Sequence, residues 1–315
     1  MASLVYSPPS TNVQGDDRTM SVPGRPPPHP VPPPPPPAPL TAAAPAPKKK
    51  LYQTIGSSRT AVEGDHNEAC LLIKQRENSF RQDLQWVLRN TYVPSLIQDG
   101  PQCGLVALWM AAQLGASKID MAAVAQMALN RGFTAQGEMF SASNMALLAE
   151  EVCGCRAQLL SGGLAGNNAE VIVSHLWSRQ PVLIPYDEDF NHEPCQRDGH
   201  RAHWAVASGV LASVDEGVLR KEEMESDPTL PWLRLLTDCN ISCPFSKLKD
   251  VYVLAKQGKS LRYQIWRLDT LAESNKQLKV MDPQRASDGT QYVVPDGGVE
   301  AGLAGQAVLI HTRME

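Results

Sequence analysis

The sequence predicts an α+β fold: a helical part first, a mostly antiparallel sheet after it, and a proline-rich tail in front that joins neither. Three observations lead there. Helical spacings of apolar residues crowd residues 103–152, short strand-like runs crowd 157–311, and residues 25–40 are dominated by proline. The chain has 315 residues, 43% hydrophobic and 20% charged, which is enough to bury at least one sizeable core.

From Arg25 to Leu40, proline fixes φ near −65° at most positions and removes backbone donors, so this stretch can enter neither a helix nor a sheet. Residues 1–50 are expected to be a disordered tail with polyproline II character, and residues 51–315 a single globular domain. A spacer would need no more than this. The unbroken run Pro32–Pro37 goes further, because a preformed polyproline helix docks into aromatic grooves at little ordering cost. Lys48–Lys50 reads as a solvated junction.

Within the domain, residues 67–89 place Leu71, Ile73, Phe80, Leu84, Trp86 and Val87 at mixed helical spacing, which predicts an amphipathic helix. After a turn at Gly100-Pro101, residues 103–114 predict a helix burying Leu105, Val106, Leu108, Trp109 and Ala112. Residues 121–130 and 143–152 predict two more, the second capped by Ser141 or Ser143. Strands are predicted over 157–160, 182–185, 203–211, 251–255, 263–268, 278–281 and 307–311, with a helix over 168–179 between the first two. Residues 213–250, with the acidic run Glu222–Glu225, interrupt the strands and read as a surface insertion.

A formal net charge of −4 supplies no basic field for nucleic acid. The apolar runs 103–114 and 203–212 fall short of the roughly 20 residues of a membrane span. The first residues, Met1-Ala-Ser-Leu-Val-Tyr6, lack the basic and apolar regions of an export signal. Seven cysteines, odd in number and sparse, fit a reducing compartment, so a cytoplasmic protein is expected. Cys153/Cys155 and Cys239/Cys243 have no matching Cys or His pair, so neither metal nor cofactor is expected.

The chemistry concentrates in Gln98-Asp-Gly-Pro-Gln-Cys103-Gly104, then His203-Trp204, then Asp282-Pro283. Cys103 opens a predicted helix, where the dipole and an imidazolium can lower a thiol pKa to about 3.5–7.5. His203 stands at the mouth of a core strand and is favoured as general base over His200, which lies in the preceding loop. Asp282, ending a predicted strand, would accept the imidazole N–H and fix its tautomer. Gln98 would donate to the oxyanion together with the Cys103 backbone N–H, Gln102 being the rival amide. Gly104 would give a substrate carbonyl room to approach. This order of thiol, imidazole and carboxylate is that of a thiol hydrolase.

These motifs, with Pro181-Val-Leu-Ile-Pro-Tyr-Asp187 and Leu254-Ala-Lys-Gln-Gly-Lys259, resemble the actin maturation proteases, papain-like cysteine peptidases of the C39-like variety. The resemblance runs over the full chain, though Gln98 stands one residue closer to the cysteine than in many thiol-protease relatives. It implies a papain-like fold and an aminopeptidase that removes the N-terminal acetylated Met or Cys from immature actin. It also implies profilin as the ligand of the polyproline tail. Arg197 and Arg201, in the loop leading to His203, would then read the acidic residues behind the scissile bond. Two other readings use the same residues: an inactive scaffold that binds profilin, SH3 or WW partners, and a deubiquitinase or transglutaminase-like thiol enzyme.

Overall fold

The computed structural model describes residues 60–115, 118–154, 156–220, 224–236 and 243–312. The tail expectations for residues 1–50 lie outside the described residues. Among those described, the helices are α1 (His66–Gln75), α2 (Cys103–Ala112), α3 (Met121–Asn130), α4 (Ala142–Cys153), α5 (Asn167–Trp177), α6 (Leu268–Lys276), α7 (Pro283–Ala286) and α8 (Gly298–Leu303). The strands are β1 (Gln85–Asn90), β2 (Arg156–Leu160), β3 (Val182–Glu188), β4 (Pro194–Cys195), β5 (Ala202–Val214), β6 (Met224–Ser226), β7 (Leu233–Leu236), β8 (Leu248–Gln257), β9 (Gln264–Arg267) and β10 (Ala307–His311). No described helix is long and apolar enough to cross a membrane.

The sheet is organised around β5. Its first half pairs antiparallel with β3 (Val182 opposite Ala207, Asp187 opposite Ala202) and its second half with β1 (Asn90 opposite Gly209, Gln85 opposite Val214). β8 runs along β5 as well, with a bulge between Ala207 and Gly209. The bulge reverses the alternation of side chains. Before it, Trp204 and Val206 enter one core cluster while Ala205 and Ala207 enter the other; after it, Leu211 joins the first and Val210 and Ala212 the second. Gly209 is required at this point because a Cβ there would lie 2.7 Å from the Arg89 carbonyl oxygen. The strand is therefore buried on both faces, which explains its continuous apolar sequence.

One face of the sheet carries α2, α3 and α4. From Gly104 to Ala112 every α2 residue is buried, as expected of a helix enclosed by other elements. Gly104 serves this packing, since a Cβ there would come within 2.8 Å of Met139 Cβ and 2.9 Å of Met145 Cε. This is a tighter constraint than the room for substrate that the sequence suggested. α4 begins as expected, with Ser141 Oγ accepting from Asn144 N at 3.1 Å, and ends at Gly154 in the left-handed conformation. The other face carries α5 and α6.

Three sequence expectations are corrected. The long helix over 67–89 is α1, a short 3₁₀ turn and then β1. Trp86, Val87 and Leu88 are all buried because β1 lies between β5 and β7, so the part of the mixed spacing that falls on Trp86 and Val87 belongs to a two-sided strand, while Leu71 and Ile73 lie on α1. Residues 278–281 form no strand. Lys279 and Val280 instead donate their backbone N–H groups to the Asp198 carbonyl at 3.0 and 2.9 Å, clamping the loop before β5. Residues 213–250 are more than a surface insertion, since β6 and β7 extend the sheet beyond β1, with β7 parallel to it.

Candidate active site

Cys103 is the first residue of α2, and His203 is the second residue of β5 and almost fully buried. Together with Gln98, Glu188, Lys259 and Arg285 they line one cavity of about 510 Å³, within the ~300–1,000 Å³ typical of small-ligand clefts. Cys103 and Trp204, the residue after His203, also line a small adjoining pocket, so the thiol side of α2 faces the start of β5.

The orientation of His203 follows from its neighbour on β8. Gln257 Oε1 accepts from the Lys259 backbone N–H at 2.6 Å, so that atom is the amide oxygen. His203 Nε2 lies 3.1 Å from the same oxygen and therefore carries a proton that it donates. The basic lone pair is then on Nδ1.

Burial pushes the Cys103 thiol up; the Trp204 N–H and the charges of Arg285 and Lys259 pull it partly back. Burial likewise lowers His203, to about 4, against the opposing pull of Glu188. Both shifts favour a neutral thiol and a neutral imidazole over a stored thiolate–imidazolium pair. Glu188 is buried, and burial alone would raise its carboxyl; His203, His192 and Lys259 outweigh this and hold it well below the usual carboxylate range. Glu188 accepts from Lys259 Nζ, lies 3.1 Å from His192 Nδ1 and 3.5 Å from Arg201 Nη2.

The other sequence candidates fall as follows. Gln98 is buried on the cavity wall and its Nε2 donates to the Gly100 carbonyl at 2.7 Å, which leaves one amide hydrogen unspent. Gln102 packs its side chain against Gly137, where a Cβ would lie 2.5 Å from Gln102 Cγ. Asp282 reaches the cavity rim, but as the N-cap of α7, with its carboxylate accepting from Gln284 N at 2.8 Å. The hydrogen bond to His203 expected of Asp282 is made by Gln257. His200 also lines the cavity, from an exposed turn. Arg201 lines it too, with its guanidinium 4.5 Å from the centre of the Phe190 ring, and Arg197 stacks on the same ring at 5.2 Å.

Asp187 was quoted in the sequence without a role, and the structure supplies one. It is fully buried, with Oδ2 accepting from Arg197 N (2.7 Å), Gly199 N (2.9 Å) and Gln277 Nε2 (3.1 Å), and Oδ1 from Arg201 N (2.8 Å). One carboxylate thus shapes the whole loop that delivers His203. Gly199 adopts φ +93° and approaches Val280 so closely that a Cβ would lie 2.8 Å from its carbonyl oxygen. Gln257, Glu188, Lys259 and Arg285 were also missed. The first three stood in strand-end segments whose polar residues look like ordinary strand termini until β3, β5 and β8 are placed side by side.

A family profile described as "Actin maturation protease-like, C-terminal domain" matches residues 93–211. The actin maturation protease of Danio rerio is 62% identical over 271 residues, covering 85% of this chain and 88% of the relative. That of Xenopus tropicalis is 50% identical over 268 residues (84% and 87%), and that of Homo sapiens 52% over 249 (76% and 70%). A solved structure described as a putative C39-like peptidase from Bacillus anthracis aligns with TM-score 0.35 at 12% identity, covering 68% of this chain and 90% of that one, too distant to carry an argument. With three vertebrate relatives at 50% identity or more, each matched over 70% or more of its length, the chain belongs to the actin maturation protease family.

Proposed function

We propose that this chain is a cysteine peptidase that removes the N-terminal acetylated Met or Cys from immature actin. The observation that carries the reading is that Cys103 and His203 line one cavity, with His203 Nε2 held by Gln257 and its basic nitrogen left on Nδ1. The names of the relatives supply the substrate.

In this reading, the Cys103 sulfur attacks the carbonyl carbon of the acetylated first residue while its proton passes to His203 Nδ1. The carbonyl oxygen, now anionic, takes hydrogen bonds from the Cys103 backbone N–H and from Gln98 Nε2; such a donor is typically worth about 10²–10³ in turnover. The peptide C–N bond breaks as His203 returns its proton to the departing amine. Water, deprotonated by His203, then releases the acetylated residue from the thioester. A neutral resting pair suits this scheme, because proton transfer and attack occur together and no thiolate has to be stored in a buried site.

The cytoplasm, where unprocessed actin is made, is the proposed location. Residues 25–40 are proposed to bind profilin carrying monomeric actin, raising the local substrate concentration to about millimolar if the linker is short and flexible. The test is incubation of an acetylated actin N-terminal peptide with wild type, Cys103→Ala, His203→Ala and His200→Ala, followed by mass spectrometry of both fragments. Loss of one acetylated residue by wild type and His200→Ala alone is expected. Cleavage by Cys103→Ala would overturn the reading, as would ubiquitin conjugates being hydrolysed in place of the actin peptide.

A further inference from the structure

A second cluster of ligating side chains lies apart from the cavity. His66 and Cys70 stand one helical turn apart at the start of α1 and project from one face. Asp227, just after β6, meets them across 161 and 157 positions of sequence. His66 Nε2 lies 2.5 Å from Asp227 Oδ2, and Cys70 Sγ lies 3.1 Å from Nε2 and 3.2 Å from Oδ2. The three atoms form a closed triangle. An ordinary hydrogen-bonded triad would set the imidazole between thiol and carboxylate and use both ring nitrogens. Here thiol and carboxylate face the same nitrogen.

Other groups hold the rest of each ligand. His66 Nδ1 lies 2.6 Å from the Tyr92 hydroxyl, which fixes the ring and leaves Nε2 to the cluster. Asp227 Oδ1 accepts from Thr229 N, Thr229 Oγ1 and Leu230 N at 2.8, 2.6 and 2.8 Å, leaving Oδ2 to the cluster. Partners of this kind are what orient metal ligands. Cys70 and Asp227 are buried, whereas the His66 side chain is 34% exposed, so a fourth ligand from solvent has an entry.

We propose that His66, Cys70 and Asp227 form a zinc site completed by water. A thiolate beside an imidazole excludes the hard cations magnesium and calcium and suits zinc. Ligand bonds of about 2.0–2.3 Å in a tetrahedron separate ligand atoms by about 3.3–3.6 Å, so the triangle has to open by less than about 1 Å on each edge. Cys70 would bind as thiolate and release its proton to solvent. The ion would clamp α1, the first described helix, to the β6–β7 turn and so to the sheet edge, where Trp232 Nε1 already donates to Glu77 at 2.6 Å.

The test uses the full chain carrying Cys103→Ala, so that the active-site thiol cannot contribute. Expected are about one zinc per chain by elemental analysis after purification with zinc present, and a thiolate-to-metal charge-transfer band when cobalt replaces it. Cys70→Ser should abolish the band, and Tyr92→Phe should weaken zinc binding about 10–100-fold. X-ray absorption of the zinc-loaded Cys103→Ala chain, which does not depend on the further variants folding, should show one sulfur among nitrogen and oxygen ligands. No bound zinc, no sulfur in the shell, or a cobalt band that survives in folded Cys70→Ser would each overturn the proposal.

Discussion

His203 Nε2 donates to Gln257 Oε1 at 3.1 Å, and the same oxygen is pinned from its other side by the Lys259 backbone N–H at 2.6 Å. A neutral amide therefore stands where a carboxylate was expected. It fixes the ring and its tautomer without adding a charge to a buried site. Gln257→Ala should lower kcat about 10²-fold with little change in KM, the usual scale for a misplaced reacting group. Gln257→Glu restores an acceptor but adds a negative charge that stabilises the imidazolium. Its acid limb in kcat/KM should move to higher pH than in wild type. An unchanged kcat in Gln257→Ala, measured with the acetylated peptide, would remove Gln257 from the mechanism.

Asp187 predicts a stability effect with a kinetic consequence. Its carboxylate accepts from three backbone N–H groups of the 197–201 loop, and charged hydrogen bonds of this kind are worth about 1.5–3 kcal/mol each. Asp187→Ala leaves buried donors unpaired and should cost roughly 3 kcal/mol or more, lowering Tm by about 6–12 °C. Amide exchange at residues 197–201 should accelerate ahead of the sheet. Uniform acceleration across β5 would mean that Asp187 supports the fold at large and not this loop.

How much was legible in the sequence follows from how local each signal was. The helix start at Cys103, the core strand behind His203 and the Ser141 cap rest on neighbouring residues, and those elements are present. β1 was missed because a strand buried on both faces shows no alternation, and it only becomes intelligible once β5 and β7 flank it. The partner of His203 was missed for a related reason. Gln257 is 54 residues away and reaches the imidazole through strand pairing, where Ala205 of β5 stands opposite Gln257 of β8. Asp282-Pro283 carries a local signal that fits a triad aspartate and a helix N-cap equally well. The structure uses it as a cap.

Acid sensitivity follows from two buried imidazoles. Burial lowers His203 to about 4, and burial together with His311 lowers His175 to about 4, each from 6.5. Between these values the unfolded chain takes up protons that the folded chain refuses, so stability falls as pH drops from about 6.5 towards 4. Each histidine contributes a loss of roughly 3 kcal/mol by the lower end of that window. Above pH 6.5 neither matters. His175 Nε2 also bonds the Ile310 carbonyl at 3.0 Å, so His175→Gln keeps a donor while removing the titration. Thermal melting between pH 7.5 and 4.5 should show a shallower decline for that variant. Identical pH profiles would place the acid sensitivity elsewhere.

The last prediction concerns how an acidic substrate is read. Arg201 and Lys259 on the cavity wall are both committed to Glu188, and Arg197 and Arg201 stack on Phe190. Arg285 differs. It lines the cavity with its guanidinium 5.9 Å from the Phe140 ring centre and 5.6 Å from that of Tyr292, and among the described residues it forms no salt bridge. Arg285 thus lies near two mutually perpendicular rings, and with no salt bridge among the described residues its N–H groups can meet a substrate carboxylate. Arg285→Ala should raise KM for peptides with acidic residues after the scissile bond by about 10-fold, more than for neutral ones, the difference shrinking at high salt. Arg201→Ala should discriminate less between the two peptides, because its charge already faces Glu188, and so should Arg197→Ala, because Arg197 is exposed and does not line the cavity. If Arg197→Ala or Arg201→Ala shows the larger acid-specific loss, the reading passes to the loop before β5, as the sequence suggested. Equal losses on acidic and neutral peptides would mean that Arg285 acts through the Cys103 thiol, whose pKa its charge lowers, and not on the substrate.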